Sequence, residues 1–120
     1  MAENVIKIKS FDFALRIVDL YKYLCDNKKE YILSKQLLRS GTAIGVLVRE
    51  AEQAESKLDF IHKLTIPQKE ANETDYWLEL LYQSKFLTKL QFKTLKQDIV
   101  EINKILASII ISTKQRIGKK

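Results

Sequence analysis

The stretch QFKTLKQDIVEINKILASIIIST, residues 91–113, decides the fold. Its apolar residues Phe92, Leu95, Ile99, Ile102, Leu106 and Ile109 recur in alternating steps of three and four, and Thr113 continues the series. That is the period of one face of an α-helix, whereas a strand would send successive side chains to opposite faces. A long helix is therefore expected after a break at Leu87-Thr88-Lys89, with a heptad-like seam. Val100, Ile105, Ile110 and Ile111 widen its apolar surface beyond one seam. In so small a chain that excess is a first hint of self-association, because an exposed apolar stripe seeks a second surface.

The same period extends toward the amino end. Leu58, Ile61, Leu64, Ala71, Leu78 and Leu81 mark a helix from Lys57 to about Lys85, with Trp77 and Tyr82 on its flank. Ser56 followed by Asp59 resembles a capping box at its start. Pro67 interrupts this pattern. It either bends one helix or opens a second in its first turn, and the unbroken phase of the apolar stripe favours one bent helix. Another helix is expected from about Tyr31 to Ala54, with Leu33, Leu37, Ile44, Leu47, Val48 and Ala51 on its apolar face and Leu38 widening it. Inside it lie Gly41 and Gly45, and an interior glycine costs about 1 kcal/mol relative to alanine. Two readings stand: a face that admits a neighbouring backbone closely, or a locally weak or bent helix. The first helix is expected from Phe11, capped by Ser10 or Asp12, with Phe11, Ala14, Ile17, Val18, Tyr21 and Leu24 as its stripe. Residues 1–9 read as a short flexible arm, and 113–120 end in a basic tail. Four helices on short loops give an all-α, up-down-up-down antiparallel four-helix bundle, one domain over 1–120.

Composition agrees. The 120 residues include three glycines and one proline, too little turn chemistry for a sheet protein of this size. Cys25 is the only cysteine and His62 the only histidine, which rules out an internal disulfide and means that a zinc site would have to be improvised from these two and distant carboxylates. No apolar run approaches the roughly 20 residues of a membrane span. The first residues carry Glu3 ahead of two lysines and no hydrophobic stretch, unlike a secretory signal, so a cytoplasmic location is expected.

The chemistry of catalysis is sparse. Gly41-Thr42-Ala43-Ile44-Gly45 lacks the lysine of a phosphate loop, and a single histidine gives no reason to propose a hydrolase triad. Diiron bundles use Glu-x-x-His, and here only Asp59 precedes His62 at that spacing. No catalytic residue, metal ligand or cofactor site is assigned, and no small-molecule substrate is evident. The carboxylates Glu50, Glu52, Glu55, Glu70 and Glu73 read as solvated or ion-paired. Arg39, Glu50 and Glu73 are candidates for charge pairs between the second and third helices or at an interface.

Charge distribution says more. Residues 85–120 carry nine Lys or Arg against two acids, a net of +7, while the whole chain sums to +6. Lys85, Lys89, Lys93, Lys96, Lys104, Lys114 and Arg116 are the candidate contacts for nucleic acid or another acidic partner, and Lys89, Lys93 and Lys96 fall on one helix face. Three explanations stand: a track for a phosphate backbone, a surface for an acidic protein, or a solvated face with a basic tail. Aromatic platforms interleaved with the lysines are missing, as is a helix-turn-helix signature.

Several stretches resemble a known family, the small bacterial four helix bundle proteins related to those encoded in intervening sequences of 23S ribosomal RNA genes. They are Gln36 to Gly45, Glu50-Ala51, Ala54 to Leu64 and Lys69 to Leu78. The resemblance covers Phe11 to about Ile110 and lends no catalytic residue. The chain also looks like a relative of accessory proteins of diversity-generating retroelements, which implies a homo-oligomer, a pentamer, that scaffolds nucleic acid or a nucleic-acid enzyme. Arg39, Glu50 and Glu73 match positions that the family keeps charged. Leu47 stands where relatives usually have Asn, Arg49 where an acid is common, and Pro67 where a helix former is usual. A non-enzymatic, homo-oligomeric adaptor is the expectation, and a protein interaction module without a nucleic-acid role is the alternative.

Overall fold

The computed structural model describes residues 2–118. Four helices follow one another: α1 (Ala2–Lys28), α2 (Leu33–Ala51), α3 (Lys57–Gln83) and α4 (Lys89–Gly118). Helices α1 and α3 each pack against α2 and α4, and the diagonal pairs are not in backbone contact, so the four lie at the corners of a square. The bundle measures 55 × 22 × 20 Å. With four antiparallel passes, Ala2 and Gly118 share one end, and the turns after α1 and α3 share the other.

Each helix contributes one apolar edge to a single core. Ile17, Leu24, Leu37, Ile44, Leu78, Leu81, Ile99 and Leu106 are fully buried there. Each such side chain stabilises the fold by roughly 1.5–3 kcal/mol relative to exposure. Tyr82 and Phe92 close the core near the α3–α4 turn, stacked with centroids 4.4 Å apart.

The amino end differs from expectation. Residues 2–9 are not an arm but the first two turns of α1. Ile6 and Ser10 are buried, so Ser10 is no cap; its hydroxyl donates to the Lys7 carbonyl at 3.2 Å inside the helix. The buried edge of α1 is Ile6, Ser10, Phe13, Ile17, Leu20 and Leu24, a phase that leaves Phe11 half exposed. Leu58, placed on the α3 stripe by its spacing, is likewise exposed because it sits in the first turn of α3, beyond the reach of its neighbours. At the carboxyl end α4 runs to Gly118 with Thr113 buried, so the expected tail over 113–118 is helical; Lys119 and Lys120 lie outside the described residues.

Helix α3 is continuous through Pro67, which is buried in phase with Leu64, Ala71 and Thr74. Of the two readings of Gly41 and Gly45, close approach describes what is found. A Cβ on Gly41 would lie 2.9 Å from Ile17 Cγ1, and one on Gly45 would lie 3.5 Å from the Ser10 carbonyl oxygen, both on α1. Across the α2–α3 seam the buried hydroxyls of Ser40 and Thr74 share a hydrogen bond of 2.9 Å.

Local chemistry sets the ends of the helices. After α1, Lys29 adopts a left-handed φ of 55°. The Glu30 carboxylate then accepts from the backbone N–H groups of Ile32, Leu33 and Ser34, in place of a side-chain cap on α2. Ser56 caps α3 by accepting the Asp59 N–H at 3.0 Å, while Asp59 accepts from Glu55 instead of closing back on Ser56. After α3, Lys85 takes φ 71°, and the Phe86 and Lys85 N–H groups bond to the Leu81 and Tyr82 carbonyls, the pattern of a Schellman ending. Thr88 and Gln91 form a reciprocal capping box for α4, with bonds of 2.8 and 3.1 Å. A left-handed residue other than glycine costs about 1 kcal/mol, and both turns of this end place a lysine there.

Candidate nucleic-acid interface

The basic residues singled out on α4 do not form one uninterrupted track. Lys89, Lys93, Lys104, Lys114 and Arg116 are exposed. Lys96 is drawn toward α3, where its Nζ lies 2.6 Å from Asp75 Oδ1. Arg116 donates to Thr113 Oγ1 at 3.2 Å on its own helix. Lys85 precedes α4, exposed on the turn. At 1.5 Å per residue, Lys89 and Arg116 stand about 40 Å apart along the axis. The positive surface thus divides into a group at the turn, a group near the carboxyl end, and Lys104 between them.

The sides of the bundle are laced by ion pairs. Arg16 bonds to Asp98 and Thr94 of α4, Lys9 to Glu101 at 2.9 Å, and Lys7 to Glu52 at 3.0 Å. A groove of about 240 Å³ between α1 and α4 is lined by Lys9, Arg16, Asp98 and Glu101, with Asp12, Phe13 and Ile102. Arg39 sits on the α2–α3 side, its Nη2 at 2.5 Å from Glu73 Oε2 and its Nη1 at 3.2 Å from Glu70 Oε1. Trp77 Nε1 also donates to Glu73 at 3.0 Å. The indole N–H, and after it the guanidinium, hold the Glu73 carboxyl below the usual carboxylate range. Glu50, named with Arg39 and Glu73 from sequence, is exposed at the penultimate position of α2 and is in salt-bridge reach of no described residue; Glu70 takes that place. Sequence reasoning had grouped Glu70 with the other carboxylates without a partner, although Glu70 and Glu73 share the helix spacing that lets one arginine reach both.

Other reactive groups are dispersed. Glu52 and Glu55 are exposed, His62 is exposed, and Cys25 lies half buried with its sulfur 3.9 Å from Ser34 Oγ. Among the described residues no three His, Cys, Asp or Glu side chains are placed to hold a metal ion. No described helix is long and apolar enough to cross a membrane. Of the residues departing from the family pattern, Arg49 holds its guanidinium over the Phe11 ring at 5.4 Å, and Leu47 is half buried.

Lysines that the sequence separates meet at the turn end. Lys28, Lys29 and Lys35 belong to the α1–α2 turn, and Lys85, Lys89 and Lys93 to the α3–α4 turn. All six are exposed, and none is in a salt bridge with a described residue. Antiparallel order brings the two turns together: Leu20 and Tyr23 of α1 line one groove with Gln91 and Leu95 of α4. Charge counted by segment missed this group, and charge counted by bundle end would have found it.

Sequence and fold place the chain among known proteins. No curated protein matches it significantly. The crystal structure of a protein of unknown function from the S23 ribosomal protein family of Bacteroides thetaiotaomicron is 57% identical and superposes with a TM-score of 0.90. That alignment covers 92% of this chain and 98% of the other. The model of the 23S rRNA-intervening sequence protein family matches residues 2–108, nearly the whole bundle, and the chain belongs to that family.

Proposed function

We propose that this chain is a non-enzymatic, self-associating scaffold of the cytoplasm that contacts nucleic acid, or an enzyme acting on it, through the basic surface around α4. Support comes first from charge. Residues 85–120 hold nine basic side chains against two acids, and most of the described ones are exposed. A phosphate backbone is the commonest ligand for such a surface, and its binding releases counterions.

Self-association draws support from apolar surface, although from a different helix than the sequence suggested. On α4, Ile110 is buried and Ile105 half buried, which leaves Val100 and Ile111 exposed. On α1, Ile8, Phe11 and Leu15 follow each other at helical spacing on the outer face and are 62%, 49% and 51% exposed. Apolar side chains in such a row are suited to a second copy. Five copies are the expected stoichiometry, following the resemblance.

Light scattering at several salt concentrations tests the assembly, with a mass of about five chains expected; a monomer at every concentration overturns it. Salt-titrated binding to structured RNA and duplex DNA tests the contact, and no binding at low salt overturns it. Association with a protein that persists after nuclease treatment, without any binding to nucleic acid, selects the interaction module instead.

A further inference from the structure

We infer that the nucleic-acid contact is made by the turn end of the bundle, not by the length of α4, and that its ligand is a single strand. This rests on the nucleic-acid reading above and sharpens it. Residues 80–93 hold three lysines and no acid. Residues 25–36 hold three lysines and two acids, of which Glu30 is engaged by the backbone N–H groups of Ile32, Leu33 and Ser34. Along the sides, Lys7, Lys9, Arg16, Arg39, Lys63 and Lys96 are each paired with a carboxylate, whereas Lys22, Lys69, Lys104 and Lys114 are exposed singly and spread along the helices instead of gathered at one end.

The backbone adds an independent observation. Lys29 and Lys85 occupy the two left-handed positions of this end, with φ of 55° and 71°, where glycine would relax the chain. Both turns therefore keep a cation at a site that conformational preference would give to glycine. A residue other than glycine in the left-handed region of a turn is a candidate for a side-chain role.

Aromatic and apolar tips complete the surface. Tyr31 is 54% exposed beside Lys29, and Leu90 is 71% exposed beside Lys89. A phenol ring between lysines is a platform for a base, and only an unpaired strand offers a free base face. The lysines then bind phosphates while Tyr31 stacks. A cross-section of 22 × 20 Å confines the contact to a short stretch of strand.

The probe is labelled oligothymidylate, followed by fluorescence anisotropy over a salt series with the full chain. Lys29→Gly combined with Lys85→Gly is expected to raise the melting temperature and weaken binding together, a pairing that a purely structural role would not produce. Two lost phosphate contacts flatten the slope of log K against log salt by about 1.4, at roughly 0.7 per contact on a single strand. Tyr31→Ala is expected to weaken binding about tenfold at an unchanged slope. Lys104→Gln with Lys114→Gln reports on the length of α4, and a loss there as large as in the turn variant overturns the assignment. So does equal affinity for duplex DNA with no effect of Tyr31→Ala. Wild-type protein that binds no oligonucleotide at low salt, whether or not it binds phosphatidylserine vesicles, overturns the nucleic-acid reading itself.

Discussion

Helix α1 meets its two neighbours by different means. Against α2 it approaches through backbone, with Ile17 seated over Gly41 and the Ser10 carbonyl opposite Gly45. Against α4 the outer seam is bridged by long side chains, Arg16 to Asp98 and Lys9 to Glu101, over an open groove. The first seam fixes spacing at Gly41 by the absence of atoms, and nothing can be added at that position without displacing Ile17. The second fixes register through charges that remain hydrated, so its contacts are replaceable.

Substitution at the two seams separates these properties, and the largest effect belongs at Gly41. Gly41→Val places atoms on a fully buried, β-branched Ile17, and about 3 kcal/mol of stability is expected to disappear in urea unfolding. Gly45→Ala, one turn on, has the opposite sign. Its Cβ meets Ser10 at ordinary contact distance, so the helix gains up to about 1 kcal/mol. Equal signs at the two positions would show that close approach is not what selects glycine here.

The turn that aligns α1 with α2 comes next in size. Glu30→Ala removes the acceptor of three N–H groups and is expected to cost about 1–2 kcal/mol. Burial raises the Glu30 carboxyl, but the donors from Leu33, Ser34 and Ile32 outweigh it and set the folded value below the ordinary 4.5. Glu73 is depressed as well. A depressed carboxyl stabilises the fold above its unfolded value and loses that contribution as pH falls through the folded one. Thermal stability is therefore expected to drop below about pH 4.5, with a shallower drop in Glu30→Gln; parallel curves for the two proteins would refute the cap.

Smallest is the charged seam. Arg16→Ala is expected to change stability by less than about 1 kcal/mol, because Arg16 and Asp98 are both substantially solvated, and the change should shrink further in salt. A loss comparable to that of Gly41→Val would mean that the two seams do not differ in kind.

How far the sequence could be read follows from the same contrast. Helix α4 was legible as far as Thr113, since six large apolar residues repeat its period and all but half-buried Phe92 are buried, while its last turn was read as a tail. Helix α1 was not, because its buried edge opens with Ile6 and Ser10 among lysines and asparagine. Without them the phase was taken from Phe11 and rotated toward α2. The close approach at Gly41 was legible because an interior glycine costs stability that packing must offset. Helix spacing puts Glu70 and Glu73 on one face of α3, but their pairing with Arg39, like the Lys96–Asp75 pair, needs the relative rotation of two helices, which no single-helix pattern contains. The turn-end lysines lie far apart in sequence and become neighbours only through the antiparallel order.

That order also makes the molecule a spacer. Both described chain ends lie at one pole and the lysine turns at the other, on a body 55 Å long. A dye or fused protein attached at Ala2 or Gly118 would be held about one bundle length from the lysine turns. Rigid separation of two attachments is something the bundle supplies by geometry alone, without a hinge or a dedicated linker.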